Sequence, residues 1–63
     1  MVKIIANKKQ LESIGIDYDI SNLIGTYNHI FSDNWYAVEV EHKIGKYTFK
    51  NEFDIPKEYL EIL

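Results

Sequence analysis

The residues of this chain that could do chemistry are two histidines, ten carboxylates and three serines; cysteine is absent. Without cysteine there is no thiol nucleophile, no thiolate zinc site and no disulfide framework. His29 and His42 are the candidate metal ligands. If Ser32–Asn34 turns a hairpin, His29 falls near Ala37 and His42 lies about five residues further along, some 16 Å at ~3.3 Å per residue. No third ligand accompanies them, so they do not read as a metal centre. Ser13, Ser21 and Ser32 each stand beside turn or cap residues, outside any recognisable nucleophile motif. Glu39 and Glu41 share one side of a strand pattern, yet so small a domain lacks the volume for a water-excluding cleft. The three glycines stand alone at 15, 25 and 45, so no phosphate-cradling loop exists. The expectation is a protein that is not an enzyme and uses neither cofactor nor metal.

Binding chemistry is better supplied. Five Tyr, three Phe and one Trp are a rich aromatic set for 63 residues. Some must reach the surface, where Tyr and Trp anchor interfaces. The net charge is −3, with seven Lys, no Arg and ten acidic residues. Arginine is the main bidentate reader of guanine and phosphate. Its absence and the acidic balance argue against a nucleic-acid partner. Lys46 and Lys50 share a strand face with Thr48, but Glu52 and Asp54 continue it, as on a solvated strand.

The elements that must position these groups follow from spacing. Val2–Ala6, rich in β-branched residues, reads as a first strand. Asn7 with Gln10 three residues on makes a capping box for a helix over 8–14. Leu11 and Ile14 form its apolar side, and Gly15 suits a left-handed stop. Residues 16–23 are irregular, with Asp17, Asp19, Ser21 and Asn22 as turn formers. Ile24–Phe31 is a second strand, with Gly25 marking a bend or bulge; Ser32–Asn34 is a turn. Trp35–His42 is the strongest strand: Tyr36, Val38 and Val40 on one face, Trp35, Ala37, Glu39 and Glu41 on the other. Lys43–Gly45 reads as a hairpin loop. In Lys46–Ile55 the residues Tyr47, Phe49, Asn51, Phe53 and Ile55 share one parity. Pro56–Tyr59 is a helical turn, and Leu60–Leu63 a last strand. The chain is therefore mainly β: a small five-stranded antiparallel barrel, with one short helix in the first long loop and a single helical turn before the last strand.

Two motifs and the strand order resemble the Src-homology-3-like (SH3-like) barrels. Asp33-Asn34-Trp35-Tyr36-Ala37-Val38-Glu39-Val40 resembles that family's acidic turn and double-aromatic strand. Ile55-Pro56-Lys57-Glu58-Tyr59-Leu60 resembles its apolar-Pro-x-x-Tyr-apolar turn. Together the matching pieces cover roughly half the chain. The resemblance implies a groove for Pro-rich peptides lined by Trp35, Pro56 and Tyr59. The family's Tyr-rich motif has its nearest counterpart in Asp17-Tyr18-Asp19, which stands later in the loop than the family's. The helix in that loop and the length of the segment from Trp35 to Pro56 also depart from the peptide-binding members. KOW-type barrels share the architecture with other partners, so the fold alone does not fix function.

Each candidate has a plainer reading. Trp35 either anchors a partner or caps one end of the barrel. Pro56 and Tyr59 either line a groove or simply start and underpin a helical turn. Asp17, Tyr18 and Asp19 either form an acidic loop for a basic partner or are solvated turn chemistry. The functional expectation is a protein-interaction module, an adaptor or an inhibitor occluding a larger protein, with a nucleic-acid-binding barrel and a homo-oligomeric structural protein as alternatives. The absence of cysteine fits a reducing, cytoplasmic setting. Residues 1–6 are too short an apolar run for a signal peptide, and nothing approaches the ~20 apolar residues of a membrane span.

Overall fold

The computed structural model describes residues 1–32 and 34–63, with the backbone alone at His29, Phe31 and Ser32. Asp33 of the expected acidic turn lies outside the described residues. Five strands form: β1 (Val2–Ile4), β2 (Ile24–Ser32), β3 (Trp35–Ile44), β4 (Tyr47–Pro56) and β5 (Leu60–Ile62). A helix, α1 (Lys8–Ser13), follows β1, and a 3-10 turn (Lys57–Tyr59) precedes β5. The strands make one antiparallel sheet in the order β4-β3-β2-β1-β5. That order is compatible with the SH3-like arrangement.

Closure of the barrel is the point at which expectation and structure part. The sheet stays open, with β4 and β5 as its two edges. β5 follows β4 after only the 3-10 turn and leaves at once to pair with β1, Ile4 opposite Leu60. With three residues each, β1 and β5 are too short to curl back to β4, which runs ten. The long β3–β4 ladder, from Trp35 opposite Pro56 to Ile44 opposite Tyr47, stretches the molecule to 36 Å against 22 and 18 Å.

One face of the sheet carries the core. Val2, Ile4, Val38, Val40, Ile55 and Leu60 meet Ala6, Leu11, Ile16 and Ile20 from the excursion between β1 and β2. The excursion is thus the second layer that a single sheet needs. It holds its shape through local devices. The Asn7 side chain accepts from Gln10 N at 2.8 Å, and the Gln10 side chain accepts from Asn7 N at 2.9 Å, completing the capping box. At the other end Gly15, at φ +86°, allows Gly15 N to reach Glu12 O and Ile16 N to reach Leu11 O, both at 3.0 Å. That is a Schellman ending, with buried Leu11 and Ile16 as its apolar pair. The excursion is then stapled to the first strand: Ile4 N donates to Leu23 O, Asn22 N to Ile4 O, and Ser21 Oγ to Ala6 O.

The capping box has a measurable weight. Asn7→Ala removes the side-chain acceptor of Gln10 N, while the backbone N–H of residue 7 can still donate to Gln10, and should cost about 1 kcal/mol, whereas Asn7→Ser should recover most of it. Urea denaturation of the three proteins checks this; equal midpoints would show the cap to be idle.

Candidate protein-interaction surface

The surface is built by the two long strands and the turns that flank them. Trp35 opens β3, with its Cα opposite Pro56 at the end of β4. The junction is tied by Lys57 N donating to Asn34 O at 2.6 Å. Pro56 is buried and extended (φ −66°, ψ 146°), so it caps the 3-10 turn from outside instead of occupying its first position. Tyr59, at the end of that turn, is half-buried against the core, and its carbonyl accepts from Ile5 N at 2.9 Å. Trp35 itself is 37% exposed, on the opposite parity from the Val38–Val40 core face. Trp35 and Pro56 therefore stand opposite one another at one end of the β3–β4 ladder, while Tyr59 packs against the core face.

Tyr18 does not join them. Its ring lies 4.9 Å from that of His42 and 5.7 Å from that of Phe53. His42 is seven positions from Trp35 along the same strand, roughly 23 Å at ~3.3 Å per residue. Asp17 and Asp19 are exposed on either side of Tyr18, whose ring alone packs on the core face at His42 and Phe53. The family's groove, which needs a loop tyrosine beside the strand tryptophan, is not assembled from these residues. The displacement follows from α1: the Schellman ending carries the chain to Ile16 and then Ile20, both buried, and fixes Tyr18 between them.

Beyond Tyr18 the core face runs on without cover. His42 is buried, its Nε2 2.8 Å from Asn51 Oδ1, and its ring is 6.0 Å from that of Phe49. Phe49 is 44% and Tyr47 62% exposed. The alternation in β4 was legible, but only Phe53, Ile55 and Pro56 are drawn into or against the interior. Tyr47 and Phe49 lie past the point where the excursion covers the sheet. At the other end of the sheet Tyr27 packs edge-on against Tyr36, ring centres 5.2 Å apart, with Ile30 exposed opposite Tyr36.

The outer face of the hairpin is acidic and ordered by pairing. Glu39 stands directly opposite Glu52, an unfavourable like-charge pair. It is relieved by Lys50 Nζ, 3.6 Å from Glu39, and by Asn28 Nδ2, which donates to Glu52 at 3.1 Å. Lys46 lies 5.7 Å from the Tyr47 ring centre. Lys46 and Lys50 thus form no continuous basic face. His29 falls opposite Ala37, as the sequence implied. Among the described residues no group of three or more His, Asp or Glu side chains is placed to hold a metal, and no enclosed pocket is formed. Nor is any helix among them long and apolar enough to cross a membrane.

Compared with protein-family models, curated proteins and solved structures, the chain matches none.

Proposed function

We propose that this chain is a non-catalytic protein-interaction module, acting as an adaptor or as an inhibitor that occludes a larger protein. The observation that carries this reading is the exposure of Trp35 beside Pro56. A tryptophan held by a strand end and a proline is a rigid, amphipathic anchor that loses little entropy on binding. The open strand edges and the exposed aromatics at both ends of the sheet add surface of the same kind. The acidic outer face and the dispersed lysines do not support the nucleic-acid alternative.

Trp35→Ala should weaken capture of the partner by about 30-fold or more, as loss of a hot-spot residue does. Its cost to stability should stay below the ~3–5 kcal/mol of a core Trp truncation, because the side chain is partly solvated. The test is a tagged pull-down from source-cell lysate, with and without nuclease, beside urea denaturation of both proteins. A nuclease-resistant protein lost with the variant supports the module. An unfolded variant places Trp35 in the core, and nuclease-sensitive recovery of ribosomal or DNA-associated proteins turns the reading to nucleic acid.

A further inference from the structure

We propose that β4 pairs antiparallel with β4 of a second copy of this chain, about a two-fold axis through Asn51. This goes beyond the partner surface at Trp35 and rests on different residues. β4 is a ten-residue strand at the edge of the sheet, and such a row of unpaired backbone groups is a template for pairing. Its ladder with β3 starts at the two-residue turn Gly45-Lys46, with Ile44 opposite Tyr47. A turn of this kind closes on a pair that exchanges both hydrogen bonds, and the pattern then alternates. The backbone groups of Tyr47, Phe49, Asn51, Phe53 and Ile55 are therefore spent on β3. Those of Thr48, Lys50, Glu52 and Asp54 point to the open edge.

The side chains choose the partner and the register. With Asn51 opposite Asn51, Lys50 of each copy stands opposite Glu52 of the other. Phe49 meets Phe53, Tyr47 meets Ile55, and Thr48 meets Asp54. About eight new backbone hydrogen bonds form, and the even and odd faces of the two sheets match. Moving the axis to Glu52 places Glu52 on Glu52, and moving it to Lys50 places Lys50 on Lys50, like charges that oppose pairing. A slip of one position in the pairing sets the aromatic face of one copy against the charged face of the other. The Asn51 register also places Tyr47 and Phe49, which overhang their own core, beside the well-packed end of the neighbouring β4. An arbitrary strand would meet an edge guarded by charges, whereas a second copy meets one that neutralises them. The result is an isologous dimer with one continuous ten-stranded sheet.

Sedimentation of the purified chain over a concentration series tests this, together with Lys50→Glu, Glu52→Lys and their mixture. Such a small contact should have a dissociation constant on the order of 10–100 μM. Either variant alone creates two like-charge pairs across the axis and should dimerise about tenfold or more weakly. The mixture restores opposite charges at every such pair and should form the heterodimer. Lys8→Glu, at the start of α1 and outside β4, makes the same charge change as Lys50→Glu and should leave dimerisation as in the wild type. Circular dichroism confirms that each variant is folded. A wild type that stays monomeric at ~1 mM, variants that dimerise as the wild type does, or a mixture no better than its components would each overturn the proposal. Retained dimerisation of Trp35→Ala separates this contact from the partner surface.

Discussion

Gly25→Ala should be among the most damaging single substitutions in this protein, costing about 3 kcal/mol or more. Gly25 is buried near the start of β2, at the point where that strand passes from its pairing with β1 to its pairing with β3. Val2 lies opposite Gly25 on one side, and Thr26 lies opposite Glu39 on the other. A methyl group added there would run into the carbonyl oxygen of Glu39 and stand 2.6 Å from Val40 Cγ1. Neither obstacle is the free end of a flexible side chain: one is backbone, and the other belongs to a fully buried valine. The strands would have to separate at the seam between the two halves of the sheet. A chain of this length holds on the order of 3–9 kcal/mol in total, so a large unfolded fraction is expected at 37 °C. Gly45→Ala is the control. A Cβ at Gly45 meets nothing, and its cost is confined to a φ of +61° at the hairpin tip, about 1–2 kcal/mol. Thermal and urea denaturation of the two variants should rank them clearly. Equal losses would mean that the seam relaxes freely.

What the sequence revealed and what it hid divide along a physical line. The hairpin loop expected at Lys43–Gly45 is instead the two-residue turn Gly45-Lys46, with Lys43 and Ile44 in β3. Devices closed within a few residues were legible: the Asn7–Gln10 box, the left-handed Gly15, the glycine of the hairpin tip and the turn after Pro56. Each is satisfied by its own neighbours, so its residue types suffice to announce it. Parity along β3 was legible for the same reason, because alternation is a property of one strand. The extent of the core was not. Tyr47 and Phe49 share the parity of Ile55 and yet remain exposed, because burial depends on how far the excursion reaches across the sheet. The irregularities of pairing in β2, between Tyr27 and His29 and between Ile30 and Ser32, have no Gly or Pro to mark them. Closure likewise depends on relative strand lengths across the whole sheet. The placement of Tyr18 was hidden most completely, since it is set by the burial of Ile16 and Ile20 on either side.

Leu11→Ala should cost about 2–5 kcal/mol and lower the stability of the whole molecule, although Leu11 lies in a six-residue helix within a loop. A helix of that length has no stability of its own. Leu11 is its one buried residue and is fully enclosed. Its carbonyl accepts from Ile14 N and Ile16 N, so the side chain and the Schellman ending act at the same position. Truncation opens a cavity between the excursion and the core strands and loosens the cover over Ile4, Val38, Val40 and Ile55. Alanine's higher helix propensity returns only a few tenths of a kcal/mol. The distinguishing measurement uses Trp35, the single tryptophan, which stands at the start of β3. Urea unfolding followed by Trp35 fluorescence and by far-ultraviolet circular dichroism should show one coincident transition, shifted to lower urea in the variant. If the excursion were an appendage, the fluorescence midpoint would stay in place while the helical signal was lost early. Coincidence is expected because, among the described residues, the excursion alone supplies a second layer to the sheet, and a one-layer sheet with one apolar face cannot stay folded in water.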